Sequence, residues 1–110
     1  MATDKTGAPT TVTQESDRFS IEVDGKKVGF TEYADRDGQR IFLHTEVSDE
    51  FGGRGLATLL VNDALQATRD AGLRIVAVCP MVAGFVAKHP EFADAVDPVD
   101  ADVKRWLANS

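Results

Sequence analysis

The chain has 110 residues, 18 acidic and 12 basic, for a net charge of −6. That length suits one domain with its own core, and the acidic balance speaks against a nucleic-acid-binding module, which carries a basic patch. A single cysteine excludes an intramolecular disulfide and points to a reducing cytoplasm, and no apolar run approaches the roughly 18 residues of a membrane span.

Residues 1–16, MATDKTGAPTTVTQES, lack both the apolar centre of a signal peptide and any periodicity; a disordered tail is expected, with one ordered domain over 17–110. Phe19, Ile21 and Val23 alternate with Ser20 and Glu22, as in a half-buried strand. Asp24-Gly25 then predicts a type I′ hairpin turn into a partner strand, KKVGFTEY. ADRDGQ is a second turn, and RIFLHTEV (40–47) a third strand. Its alternation predicts Ile41, Leu43 and Val47 on one face, Phe42 and His44 on the other.

Leu60, Val61, Ala64, Leu65, Thr68 and Ala71 recur at helical spacing, and Gly72 is a helix-ending glycine. LRIVAVC is an unbroken apolar run, expected as a strand buried on both faces. Pro80 opens a short helix, PMVAGFVAKH, and His89-Pro90 stops it. Asp97-Pro98 is expected to cap a last helix with Val99, Val103, Trp106 and Leu107 on one face. The order β-β-β-α-β-α-α predicts a mixed α/β sheet: an antiparallel meander, a helix, a buried strand and two further helices.

The segment DEFGGRGLATLLVNDAL (49–65) carries the sharpest functional signal. A helix start holds unpaired N–H groups and partial positive charge, and a glycine loop lets an anion approach them. Here Gly52, Gly53 and Gly55 surround Arg54, with no Ser, Thr, Asp or Asn beside them to cap the first turn. A plain strand-to-helix connection accounts for the glycines as well. A P-loop is excluded, because no Gly-Lys-Ser or Gly-Lys-Thr occurs, and GGRGLA matches a dinucleotide fingerprint only in part.

A strand ending in Val47, then EFGGRGLATLLVNDALQATRDAG, then LRIVAVCP resembles the acetyl-CoA-binding core of the GNAT acetyltransferase superfamily. In its motif, [Arg/Gln]-x-x-Gly-x-[Gly/Ala], Gly55 and Ala57 match the last two positions and Gly52 replaces the first. HTEV…EFGGRGLA…CPMVAGFVAKHPEF is similar to a small single-domain branch, and the resemblance spans about residues 17–93. It implies a GNAT-like fold in which the third strand and the buried strand splay around pantetheine. The pyrophosphate would lie on the N–H groups of Gly53, Arg54, Gly55, Leu56, Ala57 and Thr58, and a main-chain N–H near Val47 would polarise the acetyl carbonyl.

The implied activity is acetyl transfer from acetyl-CoA to an amine, of a small molecule or of a protein lysine or N-terminus, with no metal. A CoA-binding module or adaptor without turnover is the other class, because the helices that usually follow the first strand and shape the acceptor side are absent. His44 is a candidate base, since imidazole titrates near neutrality, or it bridges polar groups on the sheet. Cys79, beside a helix start, is a candidate nucleophile, a proton donor to the leaving thiolate, or a small buried wall residue. Lys88 and His89 either complement the end of their helix or meet CoA phosphates, and Phe85 packs on the cofactor or in the core. The expected partners are acetyl-CoA and an amine, with no nucleic acid or membrane, and the expected state is a monomer or weak homodimer.

Overall fold

The computed structural model describes residues 2–3, 9–48 and 55–109. Its strands are β1 (Ala2–Thr3), β2 (Pro9–Gln14), β3 (Arg18–Val23), β4 (Lys26–Arg36), β5 (Gln39–Val47), β6 (Arg74–Ala77) and β7 (Val96–Asp97). They form one sheet in chain order. Pairing is antiparallel as far as β5 and parallel from β5 to β6 and from β6 to β7. Helix α1 (Leu56–Asp70) makes the crossover that a parallel neighbour requires; α2 (Pro80–Lys88) and α3 (Ala101–Ala108) follow.

Both Asp-Gly pairs turn as hairpin chemistry demands. Asp24 and Gly25 have φ of 51° and 83°, and Asp37 and Gly38 have 48° and 78°, the two positive values of a type I′ turn. Helix α1 buries Leu56, Leu60, Val61, Ala64, Leu65 and Thr68. It stops at Gly72 (φ 76°), where Gly72 N–H donates to the Arg69 carbonyl and Leu73 N–H to that of Thr68. That pair of bonds satisfies the last carbonyls, and Gly72 supplies the left-handed residue the motif needs.

Two apolar layers cover the sheet. Phe19, Ile21, Phe42 and Ile75 pack with α1 and α2; Ile41 and Val76 pack with Val103 of α3, with Leu43 and Trp106 against them. Strand β6 is thus buried on both faces, Ile75 on one and Val76 on the other.

Three expectations need correction. Residues 9–14, expected within a disordered tail, form β2, with Val12 opposite Ile21 and packed against the core. A threonine-rich stretch has little hydrophobic pattern of its own, and pairing to β3 decides its state. The last helix is capped by Asp100, whose carboxylate accepts from Val103 N–H at 2.9 Å, rather than by Asp97-Pro98. The residues between are a 3-10 turn (Pro90–Ala95) and the edge strand β7.

The third correction concerns β5. Glu32 pairs with His44 but Tyr33 with Phe42, so Leu43 is an extra residue and β5 bulges there. The bulge reverses the alternation. Val47 packs with Phe42 in the α1 layer, while Ile41 and Leu43 lie in the α3 layer. His44 and Glu46, one residue to either side of Thr45, take the face opposite Val47.

Asp97 fastens the parallel edge. Arg74 Nε and Nη2 reach its Oδ1 at 2.9 and 2.7 Å, and Gln39 Nε2 its Oδ2 at 2.9 Å, so one carboxylate ties β5, β6 and β7 together. These bonds, Arg74 first, hold the Asp97 carboxyl below the usual 3.8. A depressed carboxylate contributes stability that is present above its unfolded pKa and is lost as pH falls through the folded value. Asp97→Asn is therefore expected to lower Tm at pH 7, with the gap to wild type closing below about pH 4 as both carry a neutral group. A gap that stays constant down to pH 2 would contradict this.

Candidate functional site

The bulge and the short β6 together make an opening in the sheet. The β5–β6 ladder ends at Phe42 and Ala77. The Phe42 carbonyl accepts from both Val78 N–H (3.1 Å) and Cys79 N–H (2.9 Å), and the chain then turns away into α2 at Pro80. Strand β5 continues to Val47 with β4 alone beside it. Main-chain groups of a strand alternate sides. Ser48 N–H donates to the Val28 carbonyl at 2.7 Å, so it faces β4. The N–H and C=O of Val47, and by the same count those of Thr45, project into the gap left by β6.

One side of this gap is a cleft of about 250 Å³ between α1 and α2, lined by Ala57, Thr58 and Val61 and by Pro80, Met81, Gly84, Phe85, Lys88 and His89. Five expected cofactor residues (Ala57, Thr58, Phe85, Lys88 and His89) therefore meet at one place. Gly55 caps α1 in the left-handed region (φ 76°), with no side chain accepting from the first turn and no acidic residue in it. The first-turn N–H groups of α1 thus have no side-chain acceptor. Leu56 is 1% exposed, so its side chain belongs to the core and only its main chain faces outward chemistry. Gly53 and Arg54 lie outside the described residues.

His89 stacks on Phe85, with ring centroids 3.8 Å apart and planes at 12°. Its Nδ1 lies 2.8 Å from the Phe85 carbonyl, an acceptor, so Nδ1 carries the hydrogen and Nε2 is left for another partner. The stack makes a flat aromatic shelf at the mouth of the cleft. Lys88 is exposed beside it.

Cys79 is 3% exposed and forms the wall where β6 ends. Its Sγ is 3.3 Å from Thr45 Oγ1, which is 2.9 Å from Thr31 Oγ1, a buried chain of polar groups running under β5. His44 does not join it. Its imidazole is 56% exposed, 3.3 Å from Glu46 and 6.3 Å from the Phe30 ring, on the sheet face that α1 does not cover. The structure thus brings five of the ten cofactor candidates into one cleft and Val47 into the adjoining one, but sets the two catalytic candidates, His44 and Cys79, on opposite sides of β5.

A second, larger cleft of about 910 Å³ takes in His44, Thr45, Glu46 and Val47, with Phe30 and Met81. Met81 lines both clefts and is 44% exposed, so they meet at its side chain. Phe30 lies outside the resembling strings, and Thr45, Glu46 and Met81 lie within them without an expected role; the larger cleft brings all four to the site. Among the described residues no His, Cys, Asp and Glu group is placed to hold a metal ion, and no helix is long and apolar enough to cross a membrane.

A bulged strand, a splayed parallel neighbour and the crossover helix between them define a GNAT-like mixed α/β fold. The chain belongs to the GCN5-related N-acetyltransferase family: that family's model matches residues 18–95. Among solved structures, a GCN5-like protein from Staphylococcus aureus, determined by NMR in solution, superposes with a TM-score of 0.63. It shares 24% identity, over 83% of this chain and 91% of that one, and so speaks for the fold. A search of curated proteins finds no match.

Proposed function

We propose that this protein transfers an acetyl group from acetyl-CoA to a primary amine. The observation that carries the reading is the bare stretch of β5 at the gap, next to a cleft that holds a helix start and an aromatic shelf. Acetyl-CoA supplies the activated acyl group as a thioester. The main-chain groups of Thr45 and Val47 suit the amides of a pantetheine arm. The first-turn N–H groups at Ala57 and Thr58 suit a diphosphate, together with Gly55, Leu56 and, outside the described residues, Gly53 and Arg54. Lys88 suits a further phosphate, and Phe85 with His89 offers a ring surface.

The remaining residues suit the transfer itself. Val47 N–H would donate to the carbonyl oxygen as negative charge grows there. His44 would take the proton of the incoming ammonium, so that the neutral amine forms the new C–N bond while the C–S bond breaks. Cys79, in the wall beside Thr45, would give a proton to the departing thiolate and regain one from the second proton the nitrogen sheds as the amide forms, while the first leaves His44 to solvent.

Thermal shift with CoA, acetyl-CoA and ATP tests the donor. At a hundredfold above its dissociation constant, CoA is expected to add about 2.7 kcal/mol, and ATP much less. Thiol release from acetyl-CoA with an amine panel then tests turnover. Binding without thiol release would instead identify a CoA-binding module, and no shift with either CoA species would remove the reading altogether.

A further inference from the structure

Thr31 on β4 and Thr45 on β5 are direct cross-strand partners in the layer covered by α1, in one row with Phe19 on β3. Both are buried, at 0% and 8% exposed. Valine has nearly their shape and would fill the same space without a hydroxyl to desolvate. The hydroxyls instead form a chain: the two Oγ1 atoms are 2.9 Å apart, and Thr45 Oγ1 is 3.3 Å from Cys79 Sγ. Thr45 also lines the larger cleft, so the chain runs from the interior to the open end of β5.

Its buried end fixes the direction in which the chain donates. Each hydroxyl carries one hydrogen, and so does the thiol. If Cys79 donated to Thr45 and Thr45 to Thr31, the Thr31 hydrogen would be buried with no acceptor among the described residues, a costly arrangement. If Thr31 donates to Thr45 and Thr45 to Cys79, both hydroxyl hydrogens are used. The S–H, the weakest donor of the three, is then the one left free.

We propose that Thr45, backed by Thr31, is a positioning residue that holds Cys79 for proton transfer. The inference rests on the transferase reading above, in which Cys79 protonates the departing thiolate. With Thr45 donating to it, Sγ keeps its own hydrogen turned away from the threonines and free for the coenzyme sulfur. As the C–S bond of the thioester breaks, the S–H bond of Cys79 breaks and the S–H bond of CoA forms. The negative charge passes to Cys79 Sγ, where the Thr45 hydroxyl already donates. A hydrogen bond to a charged acceptor is stronger than one to a neutral acceptor. Thr45 therefore favours the state after the transfer over the state before it. Cys79 then takes the second proton shed by the nitrogen, and neither threonine changes its protonation state.

The test follows thiol release from acetyl-CoA by the full chain, with the most reactive amine of the panel, and takes a melting curve of each variant. Thr45→Val is expected to lower kcat about tenfold with the KM for acetyl-CoA unchanged, and Thr45→Ser, which keeps a hydroxyl, to recover most of the loss. Thr45→Val also orphans the buried Thr31 hydroxyl, so its Tm is expected to fall. The double variant Thr31→Val/Thr45→Val removes both hydroxyls and is expected to regain Tm but not kcat, whereas a purely structural role would return the two together. In a Cys79→Ala background, Thr45→Val is expected to change kcat no further. An unaltered kcat in Thr45→Val, a kcat restored in the double variant, or a full effect of Thr45→Val without Cys79 would overturn the inference while leaving the transferase reading intact. Absence of thiol release by the wild type would overturn both.

Discussion

Val47→Pro is expected to slow acetyl-CoA-dependent thiol release by about 10²–10³-fold, the usual effect of removing one oxyanion donor. The substitution deletes a single N–H. In most strands that would break the ladder, but Ser48 N–H bonds Val28, so the neighbouring Val47 N–H points into the gap rather than toward β4. Proline is tolerated in a strand where the missing N–H has no strand partner. Val47→Ala is the control, since it trims a side chain packed at the edge of the core and keeps the N–H. If Val47→Pro and Val47→Ala turn over alike, the main chain at this position takes no part in the chemistry. Far-UV circular dichroism of the proline variant establishes that the sheet has survived.

Phe42→Ala is expected to cost about 3–5 kcal/mol of stability, measured from urea midpoints. Phe42 is 0% exposed, within 6.3 Å of the Tyr33 ring, in the layer shared with α1. Truncating it leaves a cavity at the point where the sheet forks, because its own carbonyl holds Val78 and Cys79. A domain of ordinary stability has about 5–15 kcal/mol in total, so the variant is expected to be partly unfolded near body temperature. Leu43→Ala, on the half-exposed bulge residue of the other layer, is expected to cost far less. Equal losses at the two positions would contradict the difference in burial between Phe42 and Leu43.

The parts of this fold that were legible in the sequence are those fixed by local chemistry. Asp24-Gly25 and Asp37-Gly38 can each make the same turn almost regardless of context, and Gly72 ends α1 because few other residues take its φ. The stripe from Leu60 to Thr68 shows α1 directly. The bulge at Leu43 is invisible, because it is a property of two strands: nothing in RIFLHTEV marks which residue β4 will skip. That one hidden residue misplaced Val47 relative to Ile41 and kept Thr45 and Glu46 out of view. Ala57, Thr58, Phe85, Lys88 and His89 entered through the resemblance to the GNAT core, and helix geometry explains why they line one cleft. Pro9–Gln14 was not, since its state depends on a partner strand formed by later residues.

Strand order in this sheet is the order of synthesis. As far as β5, each newly made strand can add to the one just before it, so little loop entropy stands between the nascent chain and four of the six strand pairings described. The parallel pairings wait longer: β6 needs α1 to cross the sheet first, and β7 needs α2. The gap beside β5 therefore takes shape late, after a self-supporting meander already exists to receive it.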